Sequence, residues 1–267
     1  MLRTEMRNEK SMHIDRMETI DMVRIMNEEN MNSVLAVEKA LPQVAVAVDA
    51  VSDAIAKGGK LVYIGAGTSG RLGIIDASEC PPTFGVDHSL VQGIIAGGKE
   101  RVFKAGENEE DNYDKGINDV KDLLTDKDVL VGISAAGGAK YILGALTEAK
   151  RKGCTTVCIT SNADTPITKA VDIAIVCDTG AEVITGSTRL KAGNSQKFVL
   201  NMLSTCAMIK TGKVYENLMI NLKPSNEKLR LRVIRITSQI LEIPEEAAIP
   251  LLEKNDWDIR KTIESVK

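Results

Sequence analysis

Residues 60–71 read Lys60-Leu61-Val62-Tyr63-Ile64-Gly65-Ala66-Gly67-Thr68-Ser69-Gly70-Arg71. A short, near-continuous apolar run passes directly into glycines, hydroxyls and an arginine. A run that is apolar on both alternating faces is a strand buried on both sides, the mark of a parallel sheet lying between helices. Gly65, Gly67 and Gly70 also satisfy the GxGxxG spacing of a dinucleotide site. Such a site needs an acidic residue closing the next strand to hold the ribose hydroxyls, and here that strand ends Ile94-Ile95-Ala96-Gly97-Gly98. The loop is therefore read as a phosphate cradle. Its glycines let the backbone approach a ligand, Thr68 and Ser69 supply hydroxyls, and the following helix start offers free N–H groups at the positive end of its dipole. The bland alternative is a tight strand-to-helix turn that holds nothing.

Further apolar runs recur at 90–97, 128–134, 155–161 and 172–178, with helical stretches between them. The alternation predicts an α/β protein, a three-layer αβα sandwich around a five-stranded, mainly parallel sheet. Residues 15–57 carry helical periodicity in two segments, one with Met22, Ile25 and Met26 and the next with Val34, Val37, Leu41, Val44 and Val48. Residues 195–211 predict an amphipathic helix that buries Phe198, Met202, Cys206 and Ile209 and stops at Gly212. Beyond residue 216, Pro244 and the Asn255-Asp256 pair divide the tail into three short helices, the last carrying Trp257. The expected division is 1–57 for N-terminal helices, 58–215 for the ligand-binding domain and 216–267 for a small helical appendage used in docking or support.

Composition removes several classes of function. With 34 Lys and Arg against 37 Asp and Glu there is no basic excess for nucleic acid, and 3% aromatic residues leave little to stack on bases. Charge, Gly or Pro interrupts every apolar stretch short of the ~20 residues that span a bilayer. The opening MLRTEMRNEKSMHIDR has no apolar h-region, so the expectation is a cytoplasmic protein without a targeting segment. Cys80, Cys154, Cys158, Cys177 and Cys206 are odd in number and form no CxxC, which reads as free thiols. Only His13 and His88 are present, too few for a His-rich metal site or a Ser-His-Asp triad, so acid–base work falls to carboxylates and no metal is expected.

A second glycine-rich loop, Ser134-Ala135-Ala136-Gly137-Gly138-Ala139-Lys140, follows the third apolar run. Two such loops at the ends of parallel strands build one crevice at a switch point, and the pocket is placed between them. Glu79, in Asp76-Ala77-Ser78-Glu79-Cys80-Pro81-Pro82, is expected on a proline-stiffened turn beside that crevice and is a candidate acid or base. Glu107, Glu109, Glu110 and Asp111 read by themselves as a solvated helix start. Ser187, Arg189 and Lys191 open the long helix; cations there oppose its dipole and point to an anionic ligand, with surface solvation the alternative for Lys191.

The segments GAGTSGRLGIIDASECPPTFG (65–85), GIIAGG (93–98) and GAEVITGSTRLKAGNSQKFVLNMLSTCAMIKTGKVYENLM (180–219) resemble the N-acetylmuramic acid 6-phosphate etherases. These are sugar isomerase (SIS) domain proteins of bacterial cell-wall recycling. The similarity runs from TEMRN at 4–8 through NEKLRLR at 226–232. It implies the SIS fold, no metal or redox cofactor, and a homodimer with shared active sites. It also implies elimination of the D-lactyl ether from C3 of an open-chain sugar phosphate, followed by addition of water. By resemblance Glu79 is the acid that protonates lactate and Glu110 the base at C2. Ser69, with Gly67 and Thr68 around it, holds the phosphate, and Arg189 and Lys191, beside Ser187, face the sugar or the lactyl carboxylate.

The second loop departs from the family, which has Ala-Ala-Ser-Gly-Arg-Thr where this chain has Ser134 to Ala139. Two hydroxyls and a guanidinium change place or are lost, leaving Ser134, Lys140 and backbone N–H groups for the phosphate. The stripped loop favours a non-catalytic sugar-phosphate sensor, as in the related glucokinase regulatory protein, or a paralogue with another substrate. Retention of Glu79, Glu110 and GSTRLKAG favours the enzyme. An aldose–ketose isomerase, sharing C2 proton abstraction without a leaving group, is the third reading.

Overall fold

The computed structural model describes residues 1–106, 109–222, 224 and 226–266. Each apolar run forms a strand: β1 (Leu61–Gly65), β2 (Val91–Ile95), β3 (Val129–Ile133), β4 (Thr155–Thr160) and β5 (Ile173–Val176). All pair in parallel, in the order β2-β1-β3-β4-β5. The chain thus moves one way from β1 to β2 and the other way from β3 onward, so a crevice opens at the carboxyl ends of β1 and β3, where Gly65 lies opposite Ile133.

Alternation along the strands feeds two cores. Leu61, Tyr63, Val129, Val131, Val157 and Ile159 face one layer, and Val62, Ile64, Leu130 and Cys158 face the other. The first layer holds α1 (Thr19–Ala56), α2 (Gly67–Phe84) and α6 (Lys191–Lys210); the second holds α3 (Tyr113–Val120), α4 (Lys140–Arg151) and α5 (Pro166–Ala170). The three-layer sandwich is therefore as expected, with a sheet that is wholly parallel. Asp76 ties β1 to the first layer, accepting from the Tyr63 hydroxyl at 2.9 Å and from the Asn201 amide at 2.7 Å.

Several local expectations are corrected. The two N-terminal segments are one helix of 38 residues that runs through Pro42. Ala36, Val37, Ala40, Val44, Ala47 and Val51 are buried along it, while Val34 and Leu41 are exposed. Helix α6 buries Val199, Leu200, Leu203, Ala207 and Met208 and leaves Phe198 and Ile209 exposed, with Met202 and Cys206 partly buried, so the expected stripe lies toward its outer face. Pro81 and Pro82 make no turn: they fall in the last stretch of α2, which Gly85 ends at φ 65° with its N–H on the Pro81 carbonyl.

The tail forms a short hairpin of β6 (Val214–Tyr215) and β7 (Leu218–Met219), then α7 (Glu227–Leu241), α8 (Glu245–Lys254) and α9 (Ile259–Val266). These three helices enclose a separate core of Val233, Ile236, Ala248, Leu252, Ile259 and Ile263. Trp257 lies in the α8–α9 turn at φ 60°, not within the last helix, with the Arg230 guanidinium 4.3 Å from its ring centre.

At the other end, residues 1–18 form an arm of short 3-10 turns across the carboxyl edge of β4 and β5. Buried Thr4 receives a hydrogen bond from the Asn162 amide at 3.1 Å, and the Ser11 hydroxyl donates to the Val183 carbonyl at 2.8 Å. Among the described residues no helix is long and apolar enough to cross a membrane.

Candidate active site

The first loop is compact because it must be glycine. A Cβ on Gly65 would stand 2.5 Å from the Gly70 nitrogen, and one on Gly70 would stand 2.7 Å from the Gly65 carbonyl oxygen. This approach lets β1 turn straight into α2, whose N-cap Ala66 has no side-chain cap. The first N–H groups of α2 are left pointing outward, as an anion site requires. The Ser69 hydroxyl donates to Gln196 Oε1 at 2.9 Å, and the buried Gln196 Nε2 has no partner among the described residues.

In the second loop the Ser134 hydroxyl accepts from the Gly137 N–H at 3.1 Å, so that side chain braces its own turn. Gly137 sits at φ 77° against Thr165, whose Oγ1 would be 2.4 Å from a Cβ there. Ala139 caps α4 without a side-chain bond. This loop therefore offers a ligand mainly backbone.

Between the loops lies a cavity of about 620 Å³. Of the residues singled out in the sequence, Gly67, Thr68, Ser69, Ser134 and Glu110 line it. Glu79, Ser187, Arg189 and Lys191 do not. Glu79 is exposed on α2, twelve residues beyond Gly67 and so about 18 Å along the helix axis. Arg189 is exposed, and Ser187 lies between Gly186 and Thr188, which do line the cavity. Glu107 lies outside the described residues.

Four charged side chains line the cavity that sequence reasoning did not assign: Glu5, Arg71, Arg101 and Glu109. Arg71 follows the first loop and was legible there as a cation; its Nε donates to the Val102 carbonyl at 2.8 Å. Arg101 reaches Glu109 at 3.2 Å. Glu109 stood in the acidic cluster, which here is a 3-10 turn, Glu109–Asp111, leading to the Asn112 cap of α3. Glu5 belongs to the TEMRN stretch where the family resemblance begins, but that stretch does not give its place, because the arm meets the crevice only in three dimensions.

Lys191 has a different role from the one expected. It is 3% exposed, and its ammonium is paired with buried Glu29 of α1. Glu29 also receives Lys10 at 3.2 Å and the Asn8 amide at 2.8 Å, both from the arm. Burial works to raise the Glu29 carboxyl, but Lys191, Lys10 and Asn8 together outweigh it and hold it below the ordinary 4.5. The Glu182 carboxylate accepts from the N–H groups of Lys191 and Ala192 and so caps α6, while burial pushes its carboxyl upward. The knot fastens arm, α1 and α6 together.

A parallel doubly covered sheet with its cavity at the switch point, floored by an uncapped helix start, defines a SIS-domain protein. Residues 43–150 match the glucokinase regulatory protein N-terminal SIS domain and residues 106–206 match the SIS domain. The fold is similar to that of a phosphoheptose isomerase from Francisella tularensis, with a TM-score of 0.57 at 18% identity over 72% of this chain and 100% of that one. It is also similar to that of a phosphosugar isomerase from Bacteroides fragilis described as involved in capsule formation, with a TM-score of 0.54 at 20% identity over 73% of this chain and 92% of that one.

Within that class, an N-acetylmuramic acid 6-phosphate etherase of Symbiobacterium thermophilum is 50% identical over 97% of this chain and 87% of its own length. One of Clostridium beijerinckii is 49% identical over 98% and 86%. The chain belongs to the N-acetylmuramic acid 6-phosphate etherase family.

Proposed function

We propose that this chain is a carbon–oxygen lyase that cleaves the D-lactyl ether of N-acetylmuramic acid 6-phosphate, giving N-acetylglucosamine 6-phosphate and D-lactate. The observation that carries the reading is the cavity itself, whose lining includes both Glu110 and the uncapped start of α2, in a chain half identical to relatives bearing that name. The N–H groups of Gly67, Thr68 and Ser69 take the phosphate, with Arg71 and Arg101 supplying positive charge in place of the family's second-loop arginine, since Lys140 does not line the cavity. In the open-chain sugar the C1 aldehyde acidifies the C2 proton. Glu110 removes it, the electron pair forms the C2–C3 double bond, and the C3–O bond breaks as Glu79 protonates the departing lactate oxygen. Water then adds at C3 and a proton returns to C2.

Glu79 reaches such a substrate only from another chain. It shares the outer face of the α2–α6–α1 layer with exposed Ile75, Phe198, Val34 and Leu41. An apolar groove of about 680 Å³ runs there between α1 and α6. A second copy seated on this face makes a homodimer in which each protomer lends Glu79 to the other's cavity. Buried thiols at Cys80, Cys154, Cys158 and Cys177 fit a reducing cytoplasm.

Purified protein given N-acetylmuramic acid 6-phosphate is expected to release D-lactate, and Glu79→Gln and Glu110→Gln are each expected to abolish the release. Mixing the two inactive variants through an unfolding and refolding step should restore about a quarter of wild-type activity, because half the dimers then hold one intact site. No restoration means that the sites are not shared. No lactate from wild-type protein, with a sugar phosphate still bound, points to the sensor.

A further inference from the structure

The arm brings a carboxylate into the cavity that the proposed reaction does not use. Glu5 lines the same cavity as the start of α2, close to Gly186, where a Cβ would stand 3.5 Å from Glu5 Oε2. Its neighbours fix it there. Arg3 N–H donates to Asn162 Oδ1 at 2.8 Å, Thr4 is buried on the same asparagine, and the Arg3 guanidinium meets Asp178 at 3.1 Å. Among the described residues the Glu5 side chain makes no hydrogen bond or ion pair of its own, although Arg71 and Arg101 line the same cavity. An anchored backbone that presents an unpaired carboxylate to a ligand space is a recognition device, since a carboxylate accepts hydrogen bonds and repels anions.

We infer that Glu5 is a specificity residue for the sugar portion of the ligand, accepting hydrogen bonds from its hydroxyl groups while the phosphate rests at the start of α2. This rests on the reading of the cavity as a sugar-phosphate site. It adds to that reading a group on the arm that reads the carbon chain. The carboxylate also orients the ligand, because a phosphate or lactyl carboxylate turned toward Glu5 meets like charge. Glu5 takes no proton in the reaction; it positions.

The test measures binding of N-acetylglucosamine 6-phosphate and of inorganic phosphate by calorimetry, together with lactate release, for wild type, Glu5→Gln and Glu5→Ala. Glu5→Ala is expected to weaken N-acetylglucosamine 6-phosphate roughly ten- to a hundred-fold and to raise KM by a similar factor. The affinity for inorganic phosphate and the melting temperature stay as in wild type, and kcat changes less than KM. Glu5→Gln, which keeps one acceptor, falls between. Unchanged sugar-phosphate affinity overturns the inference, as does an equal loss of phosphate affinity, since the arm would then only shape the cavity. Absence of lactate release with the Glu5 effect on binding intact refutes the lyase and leaves the inference standing. Wild-type protein that binds neither ligand refutes both.

Discussion

Glu29 shows what a single buried charge does in this protein. With Lys191, Lys10 and Asn8 around it, the carboxylate is held ionised, and removing its charge strands the Lys191 ammonium in the interior. Glu29→Gln is expected to cost about 3 to 5 kcal/mol at pH 7, read by urea unfolding. A carboxyl depressed in the folded state stabilises above its unfolded value and loses that contribution as pH falls through its folded value. The gap between wild type and variant should therefore be full above pH 4.5 and close as the pH drops below it, and a gap that does not vary with pH would contradict the pairing. The residue scale is also where sequence reading ran out. Lys191 at a helix start looks like an anion ligand until the chain 162 positions away supplies Glu29.

At the scale of elements, the strands were legible because β-branched runs bounded by glycine and charge admit one reading. The faces of α6 were not. Phe198, Met202, Cys206 and Ile209 make as good a helical stripe as Val199, Leu203 and Ala207, and only the sheet decides which is covered. The uncovered stripe carries its own prediction. Phe198→Glu should weaken self-association by about two orders of magnitude in sedimentation and abolish lactate release with it. Thiol labelling at pH 8 gives a second reading: burial pushes Cys80, Cys158 and Cys177 up to about 12 and Cys154 to about 11, so these stay silent. Cys206 in the groove should react in Phe198→Glu and be protected in the associated wild type. Equal labelling in both would move the interface elsewhere.

For the whole molecule, the two glycine-rich loops placed the cavity correctly, since each is a local device at the end of its own strand. Glu5 could not be found this way, because it arrives from a segment with no periodicity, and the TEMRN stretch that carries the family resemblance does not itself say where it lies. The sandwich and the tail also differ as units. The two large cores share one sheet, whereas the α7–α9 core is built around Leu252 and Ile263. Leu252→Ala is expected to lower the stability of the appendage by about 2 to 5 kcal/mol. Hydrogen exchange should rise in α7 to α9 while β1, β3 and β4 keep their protection. A uniform rise would show one cooperative unit.

The arm that closes the cavity has a consequence for how the molecule is made. Thr4 is anchored by Asn162, 158 positions later. At ribosomal speeds of 5–20 residues per second, Thr4 waits roughly 8 to 30 s for its anchor to be synthesised. Through that interval β5 and α6, the elements α1 packs against most, do not yet exist, so the nascent chain presents a long helix with part of its valine face uncovered to chaperones before the site is complete. The ligand cavity is then complete only once Gly186 and Thr188 have been made, although Glu5 on its wall is translated long before them.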